Sequence, residues 1–353
     1  MKTDLDSLMQ QRNLNALVVF GNAENNPPMY YLTGGGHIGG ATLVKKRGEE
    51  PVLFYNDMER DEAAKTGLKT RSYSEFPWQD LMKEANGDSS LMAALRLERI
   101  FDSLGVSGRV GVYGHSELGS LWATLTQLQK RRPDLELTGE PRDNSLFMFA
   151  METKDAAEVA RIRRMGKITT EVVTLTRDYL VSRPVNAEEV LLKEDGSPLT
   201  IGEMKAKINL WLAERGAVPE EGFIFSIGRD AGVPHSVGNP QDLLRLGQTI
   251  VFDIYPAEQG GGYFYDFTRT WSLGYASPEA QKRYQQVWEV YQKVVENLDT
   301  NAPFRNYQEL TCELFEKAGH KTPRTEKAPT EGYVHSLGHG VGINIHERPW
   351  SGL

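Results

Sequence analysis

Asp253 and Asp266 stand thirteen positions apart in QTIVFDIYPAEQGGGYFYDFTRTW, and four of the seven histidines fall in PHSVG (His235) and HSLGHGVGINIHERP (His335, His339, His346). Carboxylates and imidazoles are donors for divalent cations. Two cations about 3.5–4 Å apart, shared between carboxylates, are a known hydrolytic arrangement, because bound water becomes acidic enough to attack near neutral pH. An oxygen-rich site with one imidazole suits manganese, cobalt or zinc better than a structural zinc, which prefers four sulfur or nitrogen ligands.

Both aspartates need an element to place them. Gln248 to Pro256 and Tyr263 to Leu273 alternate and are rich in β-branched and aromatic residues, with Glu258-Gln259-Gly260-Gly261 as turn material, so the segment reads as a β-hairpin. A register centred on that turn pairs Asp253 with Asp266. Period-two geometry puts Val251, Asp253 and Tyr255 on one face with Phe264, Asp266 and Thr268; Ile250, Phe252, Ile254, Tyr265, Phe267 and Trp271 take the other. Like charges facing each other are destabilising, so a cation would offset the pair. The plainer alternative is a solvated hairpin edge with Arg269 or a lysine compensating. His335 and His339 lie four apart, on one side of either a helix or a strand, and Gly338, Gly340 and Gly342 favour an extended segment with close backbone approach. Val341, Ile343 and Ile345 alternate with Gly342, Asn344 and His346, and His235 sits in the turn-rich stretch ahead of the hairpin.

FDIYPAEQGGGYFYDFTRTW, PHSVGNP and HSLGHGVGINIHERP together resemble the metal-site segments of the pita-bread metallopeptidases, which include Xaa-Pro aminopeptidases, prolidases, methionine aminopeptidases and creatinase. The order histidine, aspartate, aspartate, histidine, histidine also matches, and the likeness runs from about Lys154 onward. The resemblance implies that Asp253, Asp266 and His339 hold two divalent metal ions, with manganese the first choice. It makes His235 and His346 catalytic and substrate-contacting residues, and it puts His335 in the pocket for the residue after the cleaved bond. The implied reaction is hydrolysis of the peptide bond preceding proline by a metal-bridged hydroxide, on peptides with proline in second position. Two other outcomes belong to the same fold: a creatinase-like C–N hydrolase working without metal, and an inactive member that only binds peptides. The family also carries two glutamate ligands downstream of the last histidine. Only Glu347 follows His346, and in a strand it would point away from its neighbour, so it is not assigned as a ligand. The expectation is a domain whose C-terminal strands continue beyond Leu353.

The rest of the chain frames these residues. Its 353 residues suffice for two cores. A net charge of −8 weighs against a nucleic-acid groove or an anionic membrane surface. Arg161, Arg163, Arg164 and Lys167 form the best basic cluster, which reads as the solvated face of a helix. One cysteine, Cys312, allows no internal disulfide. No apolar run approaches a membrane span, and the N-terminus lacks the pattern of a signal peptide, so a reducing cytoplasm is the expected compartment. Residues 1–150 alternate strands (Ala16–Phe20, Ala41–Lys45, Pro51–Tyr55, Arg109–Tyr113) with helical stretches such as Ser90–Ser103, a three-layer α/β pattern resembling the creatinase-type N-terminal domain. The turn formers around Pro141–Asn144 then lead into an α+β pita-bread catalytic domain, residues 151–353. In it, Lys154–Leu180 reads as an amphipathic helix, Ser277-Pro278 opens a second with Tyr284, Val287, Tyr291, Val294 and Leu298 inward, and Asn306–Lys317 gives a third. Gly34-Gly35-Gly36-His37 lacks the lysine of a phosphate loop and reads as a turn; His37 is a candidate rim residue contributed across a homodimer.

Overall fold

The structure, a computed structural model, describes residues 4–351. The chain divides into two compact units: the residues up to Lys154 together with Gly260–Gly262, and Asp155–Gln259 with the residues from Tyr263 onward.

The first unit holds a sheet of β1 (Ala16–Gly21), β2 (Ala41–Lys46), β3 (Val52–Tyr55), β4 (Lys69–Ser72), β5 (Gly108–Gly114) and β6 (Leu135–Thr138), in the order β4-β3-β2-β1-β5-β6. β1 pairs parallel with β5 and antiparallel with β2. Ala16, Leu17, Val18 and Val19 are all buried, so both faces of β1 are covered, as a three-layer arrangement requires. The helices are α1 (Leu5–Gln11), α2 (Pro27–Thr33), α3 (Arg60–Lys65), α4 (Trp78–Glu84), α5 (Ser89–Leu104), α6 (Leu118–Arg131) and α7 (Leu146–Ala150). Leu97, Ile100 and Phe101 of α5 and Leu128 of α6 pack with Val18, Val44, Phe54 and Val110 of the sheet. Gly34 caps α2 in the left-handed region, as the turn reading of that glycine run expects. β4 and β6 are four-residue edge strands outside the sequence expectation: KTRS of β4 has no apolar residue, and LELT of β6 is too short for its alternation to stand out.

In the second unit α8 (Ala156–Val181) starts at a capping box, Asp155 and Glu158 bonding each other's backbone N–H, and α9 (Ile201–Ala213) starts at another, Thr200 with Glu203. Both helices cover the apolar face of a three-stranded antiparallel sheet, β11-β9-β8. Its strands are β8 (Phe223–Ile227), β9 (Thr249–Ile254) and β11 (Phe267–Ser272); the minor pair β7 (Ala217–Val218) and β10 (Ala257–Glu258) lies beside it. Met165, Val172, Ile208 and Leu212 meet Phe225, Ile250, Phe252 and Ile254 there. Alternate burial along β9 leaves Val251 and Asp253 on the opposite face. The α8 stripe is narrower than its periodicity suggests: Met165, Ile168 and Val172 are buried, but Thr169 and Thr176 complete the buried face, each returning its hydroxyl to the carbonyl four residues back.

The register of the hairpin differs from the sequence expectation. Asp253 pairs with Thr268, not Asp266. The turn is centred one residue later than assumed, on Gly260 and Gly261, whose φ values of 84° and 82° are both positive, as a type I′ hairpin turn demands. Moving the centre by one residue shifts the register by two, so every side chain keeps its face. Gly261→Ala should destabilise the protein by more than the about 1–2 kcal/mol of a Cβ in the left-handed region, because that Cβ would also lie 2.6 Å from the Asn25 backbone nitrogen; the effect is read as a fall in the thermal or urea midpoint.

α10 (Pro278–Glu296) begins where Ser277-Pro278 predicts, the Ser277 hydroxyl accepting from the Ala280 N–H at 3.1 Å, and α11 (Phe304–Lys317) follows. The inward stripe expected on α10 is corrected: Val294 is buried, together with Val290, but Tyr284, Val287, Tyr291 and Leu298 are each more than half exposed. Among the described residues, no helix is long and apolar enough to cross a membrane.

Candidate metal centre

Asp253 sits near the end of the central strand β9, flanked by Ile224 of β8 and Thr268 of β11. Asp266 immediately precedes β11 and is two residues from Thr268, which makes it the diagonal neighbour of Asp253 on the same face. Diagonal pairs stand about 7–8 Å apart, wider than facing pairs, so the carboxylates have room to converge on something between them. Thr268 donates its hydroxyl to Asp253 Oδ1. Burial nonetheless raises the Asp253 carboxyl above its ordinary range; the Thr268 hydrogen bond opposes this, and the charge of Asp266 adds to it. A half-buried acid beside a second acid is the electrostatic setting that a cation relieves.

The third predicted ligand comes from the glycine-rich segment. His339 and Gly340 form β12, a two-residue strand paired with β13 (Glu347–Trp350). A Cβ on Gly340 would lie 2.0 Å from the Arg348 carbonyl oxygen, so the close backbone approach read from the glycines is present, although the strand itself is shorter than expected. His339 presents Nε2 at 3.5 Å from Asp266 Oδ2 while its Nδ1 lies 2.9 Å from the Gly340 carbonyl oxygen. Asp266 holds the His339 imidazole above its usual pKa, with burial acting against this. His346 places its ring 4.3 Å from that of His339.

The donor types, two carboxylates and an imidazole, fit a divalent cation of the manganese, cobalt or zinc kind. The donors meet in pairs, Asp253 with Asp266 and Asp266 with His339. Among the described residues, no group of three or more His, Cys, Asp or Glu side chains is gathered tightly enough to hold a metal ion. Glu347 is fully buried and its carboxylate accepts from the Asn344 N–H at 2.9 Å.

The other histidines distribute differently. His235 is exposed, with a left-handed backbone (φ 61°), and is close enough to Asp253 for its charge to favour the ionised carboxylate. His335 packs its ring 5.4 Å from that of Tyr333 and lines a cavity of about 990 Å³ bordered by Val290, Val294, Phe304, Phe315 and Gly232; Asp253, Asp266 and His339 are not in that lining. His335 lies outside the strand that carries His339, and the chain bends between them.

Two residues on the acid face gained no role from sequence. Thr268 is the donor to Asp253, and its signal was its position two residues beyond Asp266 on the same face. Tyr255 lies close enough for burial first, then Asp253, Glu221 and Asp266, to raise its phenol pKa. If Asp253 holds a divalent metal, Thr268→Val should weaken that binding about tenfold, the usual penalty for losing a partner that orients a ligand, with circular dichroism unchanged; calorimetric titration measures it.

Comparison with known proteins now bears on this geometry. A Xaa-Pro dipeptidase of Pyrococcus horikoshii is 24% identical over 346 residues, covering 97% of this chain and 81% of the relative. The solved Xaa-Pro dipeptidase from Bacillus anthracis superposes with a TM-score of 0.72 at 17% identity, covering 98% of this chain and 82% of that one. The X-Pro aminopeptidase from Thermotoga maritima superposes with a TM-score of 0.70 at 17% identity, covering 98% and 84%. These likenesses establish a shared two-domain fold. The sequence profile of metallopeptidase family M24 matches residues 160–352, over half of the chain and all of the residues just described. The chain belongs to metallopeptidase family M24 and is a hydrolase of peptide bonds that works with divalent metal ions.

Proposed function

We propose that the protein is a manganese-dependent exopeptidase that cleaves the bond preceding proline, with Asp253, Asp266 and His339 as metal ligands. The observation that carries this reading is the meeting of Asp266 with both Asp253 and His339 on the acid face of the hairpin. Divalent cations held there would supply an acidified water as nucleophile and polarise the substrate carbonyl. His346, edge-on to the ligand imidazole, and His235, beside Asp253, would donate to the carbonyl oxygen as negative charge builds on it. The family likeness assigns His335 to the residue after the cut. Proline nitrogen carries no hydrogen and its ring fixes φ, so a site that accepts it must be shaped for it. The relatives named for Xaa-Pro substrates support this choice.

The buried, solitary Cys312 suits a reducing compartment, and a cytoplasmic homodimer is the assembly the family likeness implies. Light scattering on the full chain tests the assembly, with twice the mass of one chain expected. The reaction is tested by incubating the full chain with manganese and paired Xaa-Pro and Xaa-Ala peptides of two and three residues. Xaa-Pro cleavage that stops after exhaustive chelation and returns with manganese is expected, and peptide length separates dipeptidase from aminopeptidase. Absence of cleavage under manganese in a protein that also carries the two downstream glutamates rejects the proposal. Chelation-resistant C–N hydrolysis of a small guanidino substrate would establish the creatinase-like reaction instead.

A further inference from the structure

The segment Tyr263–Asp266, which leads into β11, carries one of the metal-ligand candidates at its end and is seated on α8 through its tyrosines. Tyr263 and Tyr265 meet residues of α8, whereas Asp266 lies beside Asp253 and His339. The Tyr263 hydroxyl donates to Glu158 Oε1 at 2.7 Å, and the opposite oxygen of Glu158 accepts the Asp155 N–H at 2.8 Å in the α8 capping box. Glu158 is buried. The Arg161 guanidinium lies 4.6 Å from the centre of the Tyr263 ring and pairs with Glu258, whose carboxylate also accepts the Tyr263 N–H at 3.1 Å. Arg161 is therefore a bracing residue and not the solvated cation that its basic cluster suggests. Further along α8, the Tyr265 ring lies so close to Gly166 that a Cβ there would come within 2.8 Å of it. Between the two tyrosines, the Phe264 N–H donates to the Gly342 carbonyl at 2.8 Å, which ties this segment to the one after His339.

A glycine inside a helix weakens it locally, and a buried carboxylate is tolerated only because its oxygens are hydrogen-bonded, as those of Glu158 are. Their common result is the seating of two tyrosines that flank the backbone leading to Asp266. We propose that Glu158 and Gly166 of α8 are positioning residues for the metal centre: by seating Tyr263 and Tyr265 they set where the Asp266 carboxylate lies relative to His339 and Asp253. This rests on the reading of Asp266 as a metal ligand.

The test compares manganese affinity by calorimetric titration in the full chain for wild type, Tyr263→Phe, Gly166→Ala and Asp266→Asn, with Glu158→Gln as the conservative variant. Glutamine keeps an acceptor for the Asp155 N–H and offers its amide hydrogens to the Tyr263 hydroxyl. Tyr263→Phe and Gly166→Ala should each weaken manganese binding roughly tenfold while Glu158→Gln stays near wild type. Tyr263→Phe removes a single oxygen, which keeps the test available if Gly166→Ala fails to fold. Loss of binding in Asp266→Asn combined with wild-type affinity in Tyr263→Phe and in any folded Gly166→Ala overturns the positioning role alone. Equal binding by wild type and Asp266→Asn overturns the ligand reading, and the positioning role with it.

Discussion

Asp266→Asn is expected to lose divalent-metal binding and to lower kcat/KM on Xaa-Pro peptides by on the order of 10³-fold or more, because the nucleophile depends on a metal that drops the pKa of water from about 15.7 toward about 7. Asparagine keeps the shape of the side chain but removes the charge shared with both Asp253 and His339. The same substitution should leave the metal-free protein as stable as wild type or slightly more so. Asp253 then no longer has a second carboxylate diagonally beside it, and relief of that like-charge repulsion favours the variant. The His339 contact works in the other direction and limits the gain. Lost activity with an unchanged or raised metal-free melting midpoint is the signature of an electrostatically strained site. A large fall in the midpoint would instead mark Asp266 as a structural residue.

The second large effect is expected at His235. Its left-handed backbone makes the choice of substitution informative. His235→Gly removes the imidazole while keeping a residue at ease at that φ, whereas alanine adds about 1–2 kcal/mol of backbone cost. His235→Gly should reduce kcat by about 10²–10³-fold, the range for losing one donor to a developing oxyanion, with manganese affinity close to wild type. His235→Asn, which tolerates the same backbone and keeps an N–H donor, should recover part of the loss. Steady-state kinetics beside calorimetry measure both quantities. A fall in KM-dependent binding alone, with kcat intact, would make His235 a substrate anchor without a part in the chemical step.

Much of the site was legible because strand geometry has a period of two. The acid face bearing Asp253 and Asp266 and the apolar face bearing Phe252 and Ile254 follow from alternation alone, and they survive a register slip of two residues. The register itself was not legible: a run of glycines offers several turn centres, and only the backbone shows that Gly260 and Gly261 take the positive φ values. Thr268 was placed on the acid face but not recognised as the group opposite Asp253, for the same reason. On α10, periodicity identified which residues share a stripe without saying what covers it, so Tyr284 and Tyr291 were read as inward and stand exposed. The segment from His335 to His339 shows a further limit, since spacing predicts a face only along regular backbone and of the two only His339 lies in a strand.

The central claim is that Asp253, Asp266 and His339 together grip a divalent cation. Anomalous diffraction from crystals of the full chain grown with manganese tests it directly. The account predicts a manganese peak on the acid face, with carboxylate oxygens of both aspartates and the His339 Nε2 at about 2.0–2.2 Å. Manganese bound elsewhere, or a peak that leaves any one of these three side chains turned away, would contradict it.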